Sequence, residues 1–229
     1  MPDSSLLSVN EAAERLGVSQ AAIRHQITAG RLPAVKRGRS WWLDERAVER
    51  SVRQAASPGR PLSPRMAWAI ILLASGDAER AKRLAASERY VSRMRAWLAA
   101  HPLGTYSSQL RLRANGEDLN GHPSELKRLL ERADVLSTGE SAGDIIGLVG
   151  KGPGVEAYAP AGHRDAILKT HVLTPASGGA VRLHWVDDEL WRHLHEGGQD
   201  RAPRAAILLD LLASENPRAR REAARALAK

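Results

Sequence analysis

The chain has 229 residues, enough for two domains and a substantial buried core. It contains no cysteine, which excludes disulfide bonds, thiolate catalysis and cysteine-ligated zinc. Its longest apolar run, residues 66–75, is far shorter than the roughly 20 residues that cross a bilayer, and no signal peptide is visible. We therefore expect a cytoplasmic protein that has no membrane partner.

Charge is distributed unevenly along the chain. The net charge is +8, with 19 Lys and Arg against 9 Asp and Glu in residues 1–115, and 15 against 17 in residues 116–229. A basic surface concentrated in one part of a chain is typical of nucleic-acid binding. The first half is therefore the candidate for a nucleic-acid partner, and the second half is free to bind a protein.

A short helix is predicted at the start of the chain. Ser8 and Glu11 have the spacing of a capping box, which opens a helix over about residues 9–16. Gly17 follows, and a glycine in the left-handed conformation commonly ends a helix. Val18 is expected to fill the turn that comes next as a buried residue.

A second short helix follows this turn. Ser19 is its N-cap, Ile23 and Ile27 lie four residues apart on one face, and Gly30 is expected to end it. Two short capped helices that are joined by a tight glycine turn form a helix-turn-helix. We interpret the second helix as a recognition helix for DNA.

The next segment predicts a wing. Strand-forming residues flank Arg37–Ser40 and indicate a β-hairpin, and Asp44 caps a third helix over about residues 45–53. A helix-turn-helix followed by a hairpin and another helix is a winged helix. The sequence therefore predicts a winged helix-turn-helix domain over residues 1–53.

This domain resembles the excisionase and MerR-type DNA-binding domains. The matching segments are Leu7–Ser19, Ile23–Arg24, Gly30–Pro33 and Trp42–Glu45. The resemblance implies double-stranded DNA as the partner, but it says little about what is regulated.

The candidate DNA-binding residues point outward on the second helix or lie on the wing. They are Ser19, Gln20, Ala21, Arg24, His25 and Thr28 on the helix, and Lys36, Arg37, Arg39, Ser40 and Trp41 on the wing. Arg24 suits a bidentate contact to guanine and Gln20 a contact to adenine. The wing cations suit phosphates or the minor groove. The alternative is a solvated basic surface that contacts protein.

Trp41 and Trp42 need to be distinguished, because adjacent strand residues face opposite sides of a sheet. We expect Trp42 in the core, which leaves Trp41 partly exposed and able to reach DNA.

Beyond the wing, the sequence predicts a linker over residues 54–62, a helical segment over residues 63–115 and an α+β domain over residues 116–229. The linker contains the Pro and Gly residues that mark turns. Helical periodicity places helices at about residues 65–75, 77–86 and 87–100 of the helical segment. The predicted fold class is α+β, mostly α, with an N-terminal winged helix-turn-helix, a central helical segment and a C-terminal mixed α+β domain.

The α+β domain has alternating predicted elements. Strands are expected at residues 111–113, at 155–159, and at 171–174 and 181–186 on either side of a Gly-rich turn; helices are expected at about residues 124–132, 161–170, 202–213 and 218–228. Residues 135–149 are expected to form a strand end, a turn and a short helix.

A second resemblance covers most of this remainder. The segments Gly59–Trp68, His122–Leu126, Leu136–Ala142, Val155–Pro160 and Arg201–Leu212 run in an order that resembles actinobacterial antitoxins related to the AbiE abortive-infection antitoxins. The partners of those antitoxins are nucleotidyltransferase-like toxins. The resemblance implies an antitoxin that regulates its own toxin–antitoxin operon.

No pattern predicts catalysis, a cofactor or a metal. Residues 147–154 are rich in glycine but lack the spacing of a phosphate-binding loop, so we expect a surface turn. His193 and His195 have no third ligand at the expected spacing, and Asp187 is expected to cap a helix. His184 is expected to be a satisfied residue of a strand.

Three functions remain open at this point. The first is a sequence-specific repressor, found in the cytoplasm at the nucleoid, that binds an operator as a homodimer or cooperatively on repeats and has a possible toxin partner. The second is an excisionase-like architectural protein or another stand-alone regulator. The third is an enzyme that the winged helix targets to DNA.

Overall fold

The computed structural model describes residues 6–29, 32–55, 61–85, 87–148, 154–176, 178–195 and 198–228, with only the backbone at residues 53–55. The predicted helix stop at Gly30, the cation Arg31 and most of the predicted surface turn at residues 147–154 lie outside these ranges. Most of the predicted linker lies outside them as well.

Helices and strands alternate along the chain. The α-helices are α1 (Val9–Leu16), α2 (Gln20–Thr28), α3 (Glu45–Ala55), α4 (Pro64–Ala74), α5 (Ala78–Leu84), α6 (Glu88–Ala100), α7 (Pro123–Leu130), α8 (Arg164–Thr170), α9 (Asp188–Leu194), α10 (Arg204–Ala213) and α11 (Pro217–Leu227). The strands are β1 (Leu6–Ser8), β2 (Ala34–Arg37), β3 (Ser40–Asp44), β4 (Asn115–Asn120), β5 (Leu136–Ser137), β6 (Val155–Pro160), β7 (Thr174–Pro175) and β8 (Val181–Val186). The predicted class, mostly α with strands, is confirmed.

The first module is a winged helix. Its antiparallel sheet has the strand order β1-β3-β2, and α1, α2 and α3 complete it. The predicted capping box is present: the Ser8 amide donates to Glu11 Oε2 at 2.7 Å, and the Glu11 amide donates to Ser8 Oγ at 3.3 Å. Gly17 ends α1 with φ of 64°, in the left-handed region that glycine adopts without strain.

Two expectations about this module are wrong. Val18 is 39% exposed and does not plug the turn. Trp41, rather than Trp42, packs against the core of the module. The reason is strand parity: Leu43 is fully buried, and Trp41 lies two residues away on the same face of β3. Trp42 therefore projects from the other face.

The central helices form a hydrophobic layer around α4. Ser63 caps α4 through a bond from the Met66 amide, and Pro64 occupies the first turn, as predicted. The consecutive residues from Ala67 to Leu72 are all buried. A helix that is apolar all round must be enclosed, and α4 packs against α5, α6 and α10. The helical segment is thus continuous with the core of the second half.

The second sheet has five strands in the order β5-β6-β8-β4-β7. Strands β6 and β8 are parallel, and the other neighbours are antiparallel. Buried residues of this sheet pack with α7 and α8 in one core cluster. The second cluster joins α4, α6, α9, α10 and α11.

The structure corrects two strand predictions in this half. Residues Arg111–Arg113 form a 3₁₀ turn instead of a strand, and the strand of this region is β4, which begins at Asn115. The predicted strand over residues 171–174 is reduced to β7, which pairs with β4 and not with β8. Residues 171–186 therefore do not form a hairpin.

Among the described helices, none combines the length and the apolarity that crossing a bilayer requires.

Candidate nucleic-acid interface

The orientation of α2 is fixed by two apolar side chains and by its N-terminal cap. Ile23 is fully buried in the core of the winged helix, and Ile27 packs against the same core. Ser19 caps the helix by accepting a hydrogen bond from the Ala22 amide at 3.2 Å. These contacts set the rotation of the helix about its axis, so the opposite face points to solvent.

The outward face of α2 carries the six helix residues predicted to contact DNA. All are exposed: Ser19, Gln20, Ala21, Arg24, His25 and Thr28. Arg24 makes no ion pair or hydrogen bond through its side chain within the described residues. Its five guanidinium donor hydrogens are thus available to an external acceptor.

Gln20 and Thr28 of α2 each have a hydrogen-bond partner. Gln20 Nε2 donates to Asn10 Oδ1 at 2.8 Å, which holds Gln20 towards the start of α1. Thr28 Oγ1 donates to the Arg24 carbonyl at 3.0 Å. An adenine contact from Gln20 would therefore have to replace the Asn10 bond, whereas Arg24 needs no such exchange.

The wing presents its cations at the end of a tight hairpin. Arg37 pairs with Ser40 across the turn, and Gly38 has φ of 62° at the first central position, where hairpin turns favour glycine. Arg37, Arg39 and Ser40 are exposed. The turn therefore projects two guanidinium groups beyond the end of the sheet.

Trp41 has a different place from the one predicted for it. It is half-buried against the core, and Lys36 Nζ lies 5.8 Å from the centre of its ring. The two residues are directly opposite each other in the register of β2 and β3. Trp41 thus supports Lys36 through a cation–π contact.

An ion cluster joins the winged helix to the second sheet. Arg50 of α3 donates to Asp118 Oδ2 at 2.6 Å, and Arg182 of β8 donates to Asp118 Oδ1 at 2.5 Å. Glu215 lies 3.3 Å from Arg50. Burial lowers the pKa of Arg50, and the positive charge of Arg182 lowers it further. The nearby carboxylates raise it, but the net shift is downward. Sequence reasoning missed this cluster, because its members are up to 165 residues apart.

A buried polar cluster lies in the core of the second half. Arg113 donates to Asp210 Oδ1 and, at 2.7 Å, to the Tyr158 hydroxyl, while Thr138 donates to Asp210 Oδ2 at 2.6 Å. Burial alone would raise the pKa of Asp210, but Arg113 and the neighbouring donors hold it below its ordinary value. The signal in the sequence is a lone carboxylate inside the apolar run of α10.

Asp210 of this cluster and two neighbouring side chains could be considered for metal binding. Potential ligand atoms of Glu156, His184 and Asp210 lie within 4.8 Å of one another. However, both oxygens of Asp210 accept hydrogen bonds from Arg113 and Thr138, and His184 Nε2 is 2.8 Å from Glu156 Oε1. A guanidinium in contact with Asp210 would repel a cation. We interpret the cluster as structural, and His184 is satisfied within its strand as predicted.

The other candidate side chains near α9 cap the helix or pack against it. Asp187 caps α9 by accepting from the Glu189 amide at 2.9 Å, as predicted. The ring of His195 stacks on Trp191 with their centroids 5.5 Å apart. His193 is half-buried in the last turn of α9.

Two protein-family models match the chain. A model described as a helix-turn-helix domain matches residues 6–56, from β1 to the end of α3. A model described as a transcriptional regulator, the AbiEi antitoxin of a type IV toxin–antitoxin system, matches residues 83–229. A search of curated proteins and a search of solved structures returned no match. The first match covers the winged helix, and the second covers more than half of the chain.

Proposed function

We propose that this chain, which belongs to the AbiEi antitoxin family of transcriptional regulators, represses its own operon by binding an operator through α2 and the wing. Both matched families are regulators rather than enzymes. The observation that carries the proposal is the exposed Arg24, which has no ion pair within the part of the chain that the structure describes, on a helix whose rotation is fixed by the buried Ile23. From Arg24 to Arg39 the sequence contains five cations and no acid.

In the proposed complex, α2 lies in the major groove. Arg24 forms a bidentate contact to guanine O6 and N7, the contact that most often specifies a base in such grooves. Lys36, Arg37 and Arg39 bind phosphates on either side of the hairpin, which fixes the register of the helix on the duplex. Base readout and phosphate binding are thus assigned to different elements.

The operator is proposed to contain repeated half-sites. A single short recognition helix reads few base pairs, and helix-turn-helix proteins gain specificity by binding two half-sites as a dimer or cooperatively. We propose the same arrangement here, with the operon's toxin as a further partner of the antitoxin function. Residues 116–229 have a net charge of −2. The second half therefore lacks the excess of cations that binds DNA. We propose that the protein acts at the nucleoid, in the cytoplasm.

The experiment is a reporter gene under the operon's own promoter, without the toxin gene. Expression of the wild-type chain is expected to lower the reporter signal, and Arg24→Ala is expected to restore most of it at equal protein level. A matched control is Arg225→Ala, which removes an exposed cation of α11 that pairs with Glu222. Equal reporter signal with and without the wild-type chain would contradict the proposal.

A further inference from the structure

Helix α6 has a basic face that the winged helix does not account for. Val91 and Met94 are buried against α4 and α5, and they define its inner side. Arg89 and Arg93 lie one turn apart on the other side and are exposed. Ser92 and Ala96 are the exposed residues beside them, and their small side chains let a large surface approach closely.

Within the described residues, the cations of this face lack the acidic partners that some exposed arginines of other helices have. On α7, Arg128 pairs with Glu125 at 2.9 Å, and on α11, Arg225 pairs with Glu222 at 2.9 Å. Within the described residues, Arg89 and Arg93 take part in no ion pair.

The spacing of Arg89 and Arg93 gives a second reason to expect an anionic partner. Like charges at i and i+4 on a helix repel each other and destabilise it. A polyanion bound across both guanidinium groups would relieve that repulsion. A solvated helix face usually intersperses acids with its bases, as α7 does.

Tyr90 adds an aromatic ring at the edge of this face. It is 43% exposed, and Arg93 Cζ lies 5.6 Å from the centre of its ring. The cation–π contact favours one position of the guanidinium group, and the phenol can donate a hydrogen bond to a phosphate oxygen.

We propose that this face of α6, comprising Arg89, Tyr90, Ser92 and Arg93, binds the phosphates of duplex DNA without reading bases. The inference rests on the proposed function for the identity of the polyanion. The face exposes no large aliphatic side chain, whereas the buried centre of a protein–protein interface is depleted in charge and rich in apolar groups. Basic residues clustered along one face of a helix are typical of a nucleic-acid-binding surface rather than of a protein–protein interface.

The test is the salt dependence of DNA binding by the full chain. The variant carries Arg89→Gln and Arg93→Gln, and the matched control carries Arg128→Gln and Arg225→Gln, with the same change in net charge. Each protein is titrated at several salt concentrations with a duplex containing its upstream DNA, extended well beyond the presumed operator, and with a scrambled duplex of equal length.

We expect the α6 variant to flatten the slope of log affinity against log salt by about two units on both duplexes, because each phosphate contact contributes about 0.9 units. The control variant should keep the wild-type slope. The preference for the upstream duplex over the scrambled one should remain, since α6 reads no bases.

A slope and an affinity equal to those of the control would overturn the assignment, and an acidic protein would then become the better partner for α6. The proposed function is judged by a different comparison in the same experiment. It fails if the wild-type chain binds both duplexes equally well, and in that case the slope on scrambled DNA still decides whether α6 binds phosphates.

Discussion

Arg24 and Ile23 are neighbours in sequence with opposite environments. Ile23 is fully buried, and successive helix residues are about 100° apart, so Arg24 must turn away from the core. Its side chain has no partner within the described residues, in contrast to Gln20, which is bonded to Asn10. The site chemistry at the residue scale therefore depends on a guanidinium group that need not break a hydrogen bond to another described residue when it binds.

We predict that Arg24→Ala weakens operator binding by about 1–3 kcal/mol and relaxes the preference at one base pair. The reason is the loss of a bidentate contact to guanine. Fluorescence anisotropy with a panel of single-base operator variants measures both effects. An affinity and a base preference that are both unchanged would mean that α2 faces DNA through other residues.

Arg37→Ala should affect DNA binding differently from Arg24→Ala. We expect it to weaken binding to all sequences alike and to flatten the salt slope by about one unit, because it removes one phosphate contact. The same titration performed with operator and scrambled DNA checks this. A loss of affinity confined to the operator would instead assign Arg37 to base readout.

Sequence alone predicted which face of α2 is exposed, since the spacing of Ile23 and Ile27 defines the inner face. It did not predict the place of Trp41. Two adjacent tryptophans satisfy strand alternation in either order, and the choice depended on Leu43, whose burial is set by packing against α1 and β1. Likewise, nothing local indicates that Asn10 holds Gln20.

At the scale of elements, the ends of helices were the most predictable feature. The capping box at Ser8, the N-caps at Ser19 and Ser63, and the stop at Gly17 depend on bonds between residues a few positions apart. Strand β4 was missed for the opposite reason. Its residues are mostly polar or glycine, with low strand propensity, and it exists because β8 pairs along most of its length.

The contact between α3 and β4 makes a prediction about how the two modules are held together. Asp118 has a side chain only 3% exposed and lies between Arg50 and Arg182. Asp118→Asn removes the charge that compensates both guanidinium groups. We expect faster hydrogen exchange in α3 and in β4, with α4 unchanged.

The control for this experiment is Asp165→Asn, whose carboxylate pairs with Arg164 but is 95% exposed. Exposed pairs contribute little to stability. Exchange rates in α3 that are equal in the two variants would show that Asp118 does not hold the modules together.

The buried pair Arg113–Asp210 predicts a large loss of stability. Asp210→Asn should lower the free energy of unfolding by about 3–5 kcal/mol, because it leaves a buried guanidinium without its counter-charge. Urea unfolding followed by circular dichroism measures the difference. A change as small as that of the exposed variant Asp165→Asn would contradict the structural role of the cluster.

The same pair predicts a dependence on pH. The pKa of Asp210 is lower in the folded chain than its ordinary value. Its contribution is therefore complete above the unfolded value of about 3.9 and is lost as the pH falls through the folded value. The stability gap between wild type and Asp210→Asn should be constant at neutral pH and shrink in acid. A gap that widens in acid would contradict this sign.

At the scale of the whole molecule, the two family matches fall on parts of different charge and architecture. The winged helix is a small basic module with its own core, and the second match contains the five-stranded sheet and helices α6 to α11. The excess of cations in residues 1–115 was visible in the sequence, because charge can be counted without a structure. The ion cluster at Asp118 was not predictable, since it brings together residues from four distant segments.

The most direct measurement is the affinity of the purified chain for its own upstream DNA and for a scrambled duplex, near physiological salt. A sequence-specific repressor should bind the upstream duplex at least about 10³-fold more tightly. Equal affinities with a steep dependence on salt would contradict a repressor and reduce the winged helix to a basic surface.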